Sequence, residues 1–209
     1  MIISERVRLR AIEREDIPRF VEWLNDPEVT ANLLICLPLA AWDEARWFES
    51  LASRATEDRP LAVEARQPGG PWVQIGNVGL HNFNWTVRSA EFGIFIGDKS
   101  FWNSGFGTET TRLMVKHGFE TLNLNRIGLD VFETNPRAVH VYEKVGFVHE
   151  GRRRQAHYRD GQYWDVLQMS ILRSEWKVAR GGKWGAQTTP AKNVRGERIF
   201  PASCGPQGM

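Results

Sequence analysis

The fold is decided by the stretch at residues 90–147, which reads AEFGIFIGDKSFWNSGFGTETTRLMVKHGFETLNLNRIGLDVFETNPRAVHVYEKVGF. Its first eight residues are mostly apolar, with aromatic and β-branched side chains typical of a strand, and the polar run after Gly97 indicates a loop. Apolar residues then recur at helical spacing over residues 107–122, and Arg126–Phe132 has the composition of a second strand. Two strands joined through one helix predict a right-handed parallel β-α-β unit.

Two glycines, Gly105 and Gly107, lie where the first strand leads into the helix. A helix N-terminus leaves its first N–H groups without partners and carries roughly half a positive elementary charge, so it can bind a phosphate that the backbone reaches closely. A Gly-x-Gly pair fits a simple tight turn equally well. The dinucleotide fingerprint would need a third glycine at Thr110, and no P-loop Gly-Lys-Ser/Thr follows. An anion-binding turn of another kind is therefore expected.

A second helix follows, with Asn135 as the N-cap, Pro136 at the first helical position and Gly146 just past the end. Helical spacing places Tyr142 on the same face as Ala138, so the tyrosine is expected to point toward the sheet. On position alone, Tyr142 is more readily interpreted as a core residue and Asn135 as a helix cap. Their joint occurrence after the glycine turn favours a functional role.

Taken together, residues 91–147 resemble the acetyl-CoA-binding core of the GNAT N-acetyltransferase superfamily, and the flanks resemble its ribosomal-protein-alanine and polyamine acetyltransferase branch. The flanking matches, in chain order, are Arg8-Leu9-Arg10 with Asp16, Trp23-Leu24-Asn25-Asp26-Pro27-Glu28, Ile75-Gly76-Asn77-Val78-Gly79-Leu80 and Asp160-Gly161-Gln162-Tyr163-Trp164-Asp165-Val166. Each motif is weak alone, but five in the family's order are specific. The resemblance covers about residues 5–178.

The resemblance implies an α/β (α+β) fold with a mixed, mostly antiparallel sheet of about seven strands, a central splayed parallel pair and about four flanking helices. An acetyltransferase domain is expected over residues 1–178, followed by a flexible tail over residues 179–209. Strands are expected at Val7–Ala11, Leu61–Ala65, 73–83, 90–97, Arg126–Phe132, 147–157 and 163–172. Helices are expected at 17–25, 42–56, 107–122 and from Asn135 to Gly146.

By the same resemblance, acetyl-CoA would be the co-substrate. The residues expected to bind its pyrophosphate, mainly through backbone N–H groups, are Trp102, Asn103, Ser104, Gly105, Phe106, Gly107 and Thr108. Those expected along the pantetheine arm are Phe95, Ile96, Gly97, Asn135 and Ala138, with Tyr142 near the thioester sulfur. The family often has Gln or Arg where Trp102 stands, so the pyrophosphate is expected to rely more on backbone amides here.

The implied reaction is direct attack of a neutral primary amine on the acetyl thioester, with strand N–H groups stabilising the oxyanion and Tyr142 protonating the thiolate. At pH 7 an α-amino group is neutral about one time in ten, and a lysine-type amine roughly once in several thousand, so a base matters more for the second. Glu91 is the first candidate, followed by His81 and Glu109. Glu91 fits an outward-facing strand position nearly as well, and Glu109 fits a favourable charge in the first helical turn.

The chain carries 27 basic and 25 acidic residues, unevenly distributed, because residues 1–60 have 12 acidic and 8 basic side chains and residues 61–209 have 13 acidic and 19 basic ones. The basic part would attract an anionic cofactor and the acidic part a cationic amine, although solvated helix faces explain the segregation equally well. The run Arg152-Arg153-Arg154 could bind nucleic acid, but a solvated strand edge is the more common meaning of such a run.

Two distant cysteines, no signal peptide and no apolar run of about 18 residues favour a reduced cytoplasmic protein without a membrane partner. The five histidines show no metal-ligand spacing, so no metal is expected. The acceptor classes left open are a protein N-terminus, a polyamine and a small amine, and a homodimer is expected by analogy. The alternative to an enzyme is a non-catalytic acyl-CoA-binding sensor or interaction module.

Overall fold

An eight-stranded mixed sheet runs through the computed structural model, which describes residues 1–35 and 37–176. The strands are β1 (Ile2–Ile3), β2 (Val7–Ala11), β3 (Leu61–Ala65), β4 (Val73–Asn84), β5 (Ser89–Ile96), β6 (Arg126–Phe132), β7 (Val148–Arg159) and β8 (Gln162–Leu172). Their order in the sheet is β1-β2-β3-β4-β5-β6-β8-β7. Every neighbouring pair is antiparallel except β5 and β6, which confirms the expected mixed sheet with one parallel pair.

Within the described residues, five α-helices flank the sheet. They are α1 (Ile17–Leu24), α2 (Pro27–Thr30), α3 (Ala41–Ser50), α4 (Phe106–Glu120) and α5 (Pro136–Val145). Short 3-10 helices cover Arg14–Asp16, Leu51–Ser53, Thr56–Asp58 and Lys99–Phe101. The predicted helix over residues 42–56 is divided, because α3 ends at Ser50 and 3-10 turns follow.

The structure has one strand and one helix more than expected from the sequence, and both are very short. Strand β1 has two residues, too few for any periodicity to be read. Helix α2 is a single turn that begins at Pro27, with the Asp26 carboxylate accepting a hydrogen bond from the Glu28 N–H at 2.9 Å. Both elements therefore depend on pairing or capping that a hydrophobic pattern does not reveal.

The parallel pair separates along its length, as the resemblance implied. Strands β5 and β6 are paired only from Ser89 to Glu91 on β5 and from Arg126 to Gly128 on β6. Strand β5 continues to Ile96 and stays paired with β4 to that point. The later part of β5 therefore has an open side that faces away from β4, and a cleft begins there.

The two faces of β5 pack against different helices because side chains alternate along a strand. Phe92 belongs to the core cluster that contains Val115 of α4 and Tyr142 of α5. Phe95 belongs to the cluster on the opposite face, with its ring centroid 6.0 Å from that of Phe20 on α1. The sheet thus separates an α4/α5 side from an α1–α3 side.

The Arg8-Leu9-Arg10 motif forms a partly buried ion network beside the first of these helices. Arg10 donates two hydrogen bonds of 2.7 Å to Asp16 and lies 3.0 Å from Glu64, while Arg8 also pairs with Glu64. The two arginines lower the pKa of the Glu64 carboxyl against the opposing effect of its burial. The network joins β2, β3 and the 3-10 turn that precedes α1, so the motif supports the fold rather than the chemistry.

Residues Met1–Trp176 make up one compact unit. The expected tail over residues 179–209 and the two cysteines lie outside the described residues. In the part of the chain that the structure describes, no helix has the length and apolarity needed to cross a membrane, and no group of three or more His, Cys, Asp or Glu side chains could hold a metal ion.

Candidate active site

A cleft of about 1130 Å³ opens at the separation of β5 and β6. Its walls come from β4, β5, β6, α5, the loop before α4 and the segments around α2 and the Thr56–Asp58 turn. The expected site residues that line it are Glu91, Phe95, Ile96, Trp102, Asn103, Gly105, Gly107, Thr108, Asn135, Ala138 and Tyr142. Gly97, Ser104 and Phe106 do not line it.

The glycine loop presents a helix N-terminus to this cleft. Gly105 is the N-cap of α4 with a φ of +86°, and the cap makes no side-chain hydrogen bond. Asn103 also has a positive φ of 58°. Within the described residues, no hydrogen bond is found to the backbone N–H groups of residues 103–108. Several free N–H groups and the positive end of the α4 dipole therefore face the place where an anion would bind.

The two glycines of the loop are required for different reasons. Position 105 requires glycine because of its backbone conformation. A φ of +86° is strained for L-residues with a side chain. Gly107 lines the cleft, and a Cβ atom at its position would meet no protein atom within 4 Å. A side chain at Gly107 would therefore extend into open space without disturbing the fold.

Arg6 braces the loop from outside the cleft. Its guanidinium donates to the Glu109 carboxylate at 2.7 and 3.1 Å and lies 4.8 Å from the centroid of the Phe106 ring. The Ser4 hydroxyl donates to the other oxygen of Glu109 at 2.6 Å. Glu109 is thus held by hydrogen bonds and does not line the cleft, so the structure does not bring it together with the other candidate bases. Phe106 is buried and packs on Phe101.

The backbone of β5 shows which groups face the open side. The indole Nε1 of Trp102 donates to the Ile96 carbonyl at 2.8 Å, so this carbonyl points away from β4. Because successive residues of a strand alternate in direction, the backbone groups of Ile94 point the same way, whereas those of Phe95 point toward β4. The backbone groups on the open side of β5 are therefore those of Ile94 and Ile96, whereas those of Phe95 face β4.

Gly97, which was also expected beside the cofactor, has a packing role. A Cβ atom there would lie 2.2 Å from the Trp23 ring, and its N–H donates to the Ile75 carbonyl at 2.8 Å. Ser104 is exposed and donates its hydroxyl to the Trp102 carbonyl.

Trp102 also supports a cation that lines the cleft. Arg137, the second residue of α5, places its guanidinium 4.1 Å from the centroid of the Trp102 ring. Arg137 lines the cleft and makes no ion pair within the described residues. Sequence reasoning missed this residue, although its place directly after Asn135-Pro136 puts it at the start of the helix that carries Tyr142.

Tyr142 lines the cleft, and its ring is 6.0 Å from that of Phe92 and 5.8 Å from that of Phe147. The side chain is 8% exposed, and burial raises the pKa of its phenol to about 12. Its hydroxyl finds no hydrogen-bond partner in the described part of the chain, unlike a typical core tyrosine. A protonated, unpartnered phenol therefore faces the cleft at neutral pH.

Asn135 acts as the N-cap of α5, because its side-chain oxygen accepts a hydrogen bond from the Ala138 N–H at 3.1 Å. Both residues also line the cleft. The cap fixes the start of α5, and the helix in turn orients Tyr142, since both residues lie on one short element that ends at Gly146 with a φ of +110°.

Glu91 is the last residue of β5 paired with β6, and its side chain points to the α1–α3 side. The carboxylate accepts a hydrogen bond from the Asn82 side-chain N–H at 2.8 Å and lies 3.6 Å from His81 Nε2. The Glu91 side chain is 57% exposed. Glu91 and His81 are thus together at the edge of the cleft, on the face of the sheet opposite Tyr142.

The arginine run on β7 is largely neutralised. Arg152 pairs with Glu133 and Asp165 at 2.9 and 2.8 Å, and Arg153 pairs with Asp130. Strand β7 is the edge of the sheet, and its side chains are mostly exposed. Two of the three cations are therefore held by carboxylates of neighbouring elements.

Known proteins share this fold and these elements. The family described as an acetyltransferase (GNAT) domain matches residues 6–148. A spermidine N(1)-acetyltransferase of Vibrio cholerae is 33% identical over 174 residues, which span 83% of this chain and 97% of that protein. An uncharacterized N-acetyltransferase of Bacillus subtilis, YoaA, is 36% identical over 172 residues, with 81% of this chain and 95% of that protein covered. The crystal structure of spermidine N-acetyltransferase from Vibrio cholerae in complex with CoA and spermine superimposes with a TM-score of 0.71 at 31% identity, covering 82% of this chain and 98% of that one.

The family match takes in the glycine loop, the separated strand pair and the Tyr142 helix, and the relatives are matched over nearly their whole length. The neighbouring structure holds CoA, the product that acetyl-CoA, the expected co-substrate, leaves after transfer. The chain belongs to the GNAT acetyltransferase family, and it is an acetyl-CoA-dependent N-acetyltransferase acting on a primary amine.

Proposed function

We propose that this enzyme transfers acetyl from acetyl-CoA to a primary amine of a polyamine. The observation that carries the proposal is the lining of the cleft, which brings the glycine loop and Tyr142 together with the carboxylates of Glu28, Asp58, Glu91 and Asp130. An anion site and acidic side chains within one cleft suit an anionic cofactor and a cationic acceptor. The relatives named for spermidine acetylation support the same acceptor class.

The pyrophosphate of CoA would bind the free N–H groups of residues 103–108, with Arg137 as the nearby cation. The pantetheine arm would lie in the separation between β5 and β6 and pair with the backbone groups of Ile94 and Ile96. Since Trp102 already donates to the Ile96 carbonyl, the Ile96 N–H is the group left for the arm. Asn135 and Ala138 would flank the arm on the α5 side.

In the reaction, the amine nitrogen attacks the thioester carbonyl carbon, and a backbone N–H of β5 stabilises the resulting oxyanion. The C–S bond then breaks, the thiolate receives a proton and the new amide nitrogen loses one. The Tyr142 hydroxyl is placed to donate to the departing sulfur. Because its pKa is about 12 and a thiol has a pKa of about 8.5, hydrogen-bond donation is its main contribution, and full transfer requires a proton returned from the ammonium side.

Glu91 would remove the proton from the incoming amine, with His81 beside it. Its exposure allows an amine or a bridging water to reach the carboxylate. Glu109 is not proposed as a base, since Arg6 and Ser4 hold its carboxylate away from the cleft.

Thiol release from acetyl-CoA across a panel of amines tests the proposal. Spermidine, a monoamine and a peptide with a free N-terminus are the three arms, and turnover of spermidine well above the other two is expected. Preference for the peptide would replace the polyamine with a protein N-terminus as the acceptor. Binding of CoA without turnover of any amine would leave only the sensor role, which no finding supports.

Two further expectations stay predictions. Analytical ultracentrifugation of the full chain at several concentrations would detect a homodimer as a change in sedimentation coefficient. Cytoplasmic placement, expected from the cysteine content, would be checked by fractionation.

A further inference from the structure

One wall of the cleft is formed by α4 and α5, which pack against each other. From α4, Gly107 and Thr111 line the cleft, and their four-residue spacing places them on one face of the helix. From α5, Arg137, Val141 and Lys144 line the cleft, and their spacing also places them on one helical face. Each helix therefore presents one face to the same space.

The α4 face is uncharged and has open space beside it. A Cβ atom at Gly107 would meet no protein atom within 4 Å. The Thr111 hydroxyl is satisfied within the helix, because it donates to the Gly107 carbonyl at 2.8 Å. Glu109, the acidic residue of the first turn, is held by Arg6 outside the cleft. Among the described residues, no carboxylate of α4 lines the cleft and would oppose an anion there.

The α5 face, in contrast, carries positive charge that no carboxylate neutralises. Arg137 and Lys144 are both exposed, and neither makes an ion pair with any other described residue. The acidic neighbour of Lys144, Glu143, lies on another face of α5, with its Oε1 atom 3.1 Å from His149 Nε2. The carboxylates that line the cleft belong to α2, the Thr56–Asp58 turn, β5 and β6. Two cations therefore lie along α5, apart from the acidic part of the cleft lining.

CoA carries its negative charge in two places, on the pyrophosphate and on a 3′-phosphate of the ribose beyond it. The 3′-phosphate is a monoester, with a charge of about −1.5 to −2 at neutral pH. Arg137 is the cation proposed beside the pyrophosphate. Lys144 is seven residues farther along α5, or about 10 Å along the helix axis. Helical side chains lean toward the helix N-terminus, so the Lys144 ammonium leans back toward Arg137 and can meet a phosphate one ribose away.

We infer that Lys144 is a specificity-determining residue that binds the 3′-phosphate of the CoA adenosine, so that the enzyme distinguishes CoA from dephospho-CoA. The inference rests on the placement of the pyrophosphate under the proposed function, and it deepens that function by naming the part of the co-substrate that α5 recognises. Neither the family match nor the named relatives assign a role to this residue.

The test removes the phosphate from the ligand and the cation from the protein, separately and together. Calorimetry at low salt measures the dissociation constants of CoA and of 3′-dephospho-CoA, which lacks only that phosphate. The parent is expected to bind CoA about 10-fold more tightly, the lower end of the range for one charge-assisted hydrogen bond. Lys144→Gln should bind CoA about 10-fold more weakly than the parent and dephospho-CoA equally well, so its preference for CoA should be lost.

Two matched variants make this comparison specific. Arg137→Gln should weaken the binding of both ligands by the same factor, because both retain the pyrophosphate. Lys144→Arg retains the positive charge and should keep the preference for CoA. A parent without any preference would overturn the inference, and so would an equal loss for both ligands in Lys144→Gln.

Melting temperatures separate binding from a purely structural role. Lys144 lies in the last turn of α5, where a cation also favours the helix dipole. A lower melting temperature in Lys144→Gln with an unchanged preference for CoA would reduce Lys144 to that role and overturn the inference. No amine takes part in these measurements, so a wrong acceptor class would appear in the amine panel, whereas a selective loss of CoA binding in Lys144→Gln would still support the inference.

Discussion

The guanidinium of Arg137 lies over the indole of Trp102, with Cζ 4.1 Å from the ring centroid. The indole is itself fixed by its hydrogen bond to the Ile96 carbonyl, so the end of β5, the glycine loop and the start of α5 are joined through one side chain. Trp102 stands where a polar side chain is common in the family, and its ring holds a cation from the neighbouring helix in the same region. The sequence predicts that the pyrophosphate relies more on backbone amides than on a side chain, and Arg137 is a cation that this prediction did not include.

Arg137→Gln is expected to raise the KM for acetyl-CoA about 10-fold at low salt, because a cation near a phosphate contributes a charge-assisted interaction. The difference from the parent should shrink as salt is added, since screening weakens the attraction between exposed charges. Initial rates at several ionic strengths measure it. Lys116→Gln is the control, as Lys116 is a cation on α4 that does not line the cleft. Equal effects of the two substitutions would exclude a local role for Arg137.

Gly107→Ala should separate binding from folding. The added methyl group meets no protein atom and replaces a helical glycine, so the free energy of unfolding should rise by up to about 1 kcal/mol. Because Gly107 lines the cleft, the same methyl group is expected to keep the phosphate from approaching the backbone closely, so the dissociation constant for CoA should increase about 10-fold. Calorimetry for binding and thermal melting for stability measure the two effects.

Gly105→Ala is the companion variant. Its φ of +86° is strained for alanine, so stability should fall by about 1–2 kcal/mol. A Gly107→Ala variant that bound CoA normally would contradict a phosphate site at the loop.

Local periodicity explains why much of this arrangement could be predicted. The 3.6-residue repeat of α5 sets the inward direction of Tyr142, and the separated strand pair follows from a β-α-β unit of the expected family. Helix capping by Asn135 is likewise a local signal that spans only three residues. These features depend on neighbours along the chain, where sequence patterns are most informative.

Contacts between distant segments could not be predicted in the same way. From the sequence, Glu91 and Glu109 are both acidic residues beside the core motif, and only Arg6, 103 positions before Glu109, distinguishes them. Gly97 looks like part of a binding loop until the Trp23 ring is found against it. The register that exposes Ile94 in place of Phe95 depends on strand pairing, which a one-residue shift reverses.

Tyr142→Phe is expected to lower kcat by about 10²–10⁴-fold, the range for loss of a proton donor, with little change in the KM for acetyl-CoA. Stability should be nearly unchanged, because the hydroxyl has no hydrogen-bond partner in the described structure. Since burial raises the pKa of Tyr142 to about 12, the phenol stays protonated through the usual assay range. The rate of the parent enzyme should therefore show no fall below about pH 11 from this group.

Tyr163→Phe is the control for that variant, because Tyr163 is exposed on the β7–β8 hairpin and does not line the cleft. An unchanged kcat in Tyr142→Phe would remove the phenol from the reaction.

Glu91→Gln tests the proposed base against Glu109→Gln, which removes the same charge from a carboxylate held by Arg6. For Glu91→Gln, kcat/KM with spermidine at pH 7 should fall about 10²-fold or more, because few lysine-type amines are neutral there. The loss should shrink as pH rises toward 10, since free amine then forms without a base. A loss independent of pH would mean that Glu91 positions the amine instead.

Glu109→Gln should show the opposite pattern, with a nearly unchanged pH profile and a loss of stability. The free energy of unfolding should fall by about 1 kcal/mol, since the ion pair of Glu109 is partly exposed. Because both glutamates flank the same motif but only one reaches the cleft, the contrast in pH dependence between these two variants identifies the carboxylate that takes the proton.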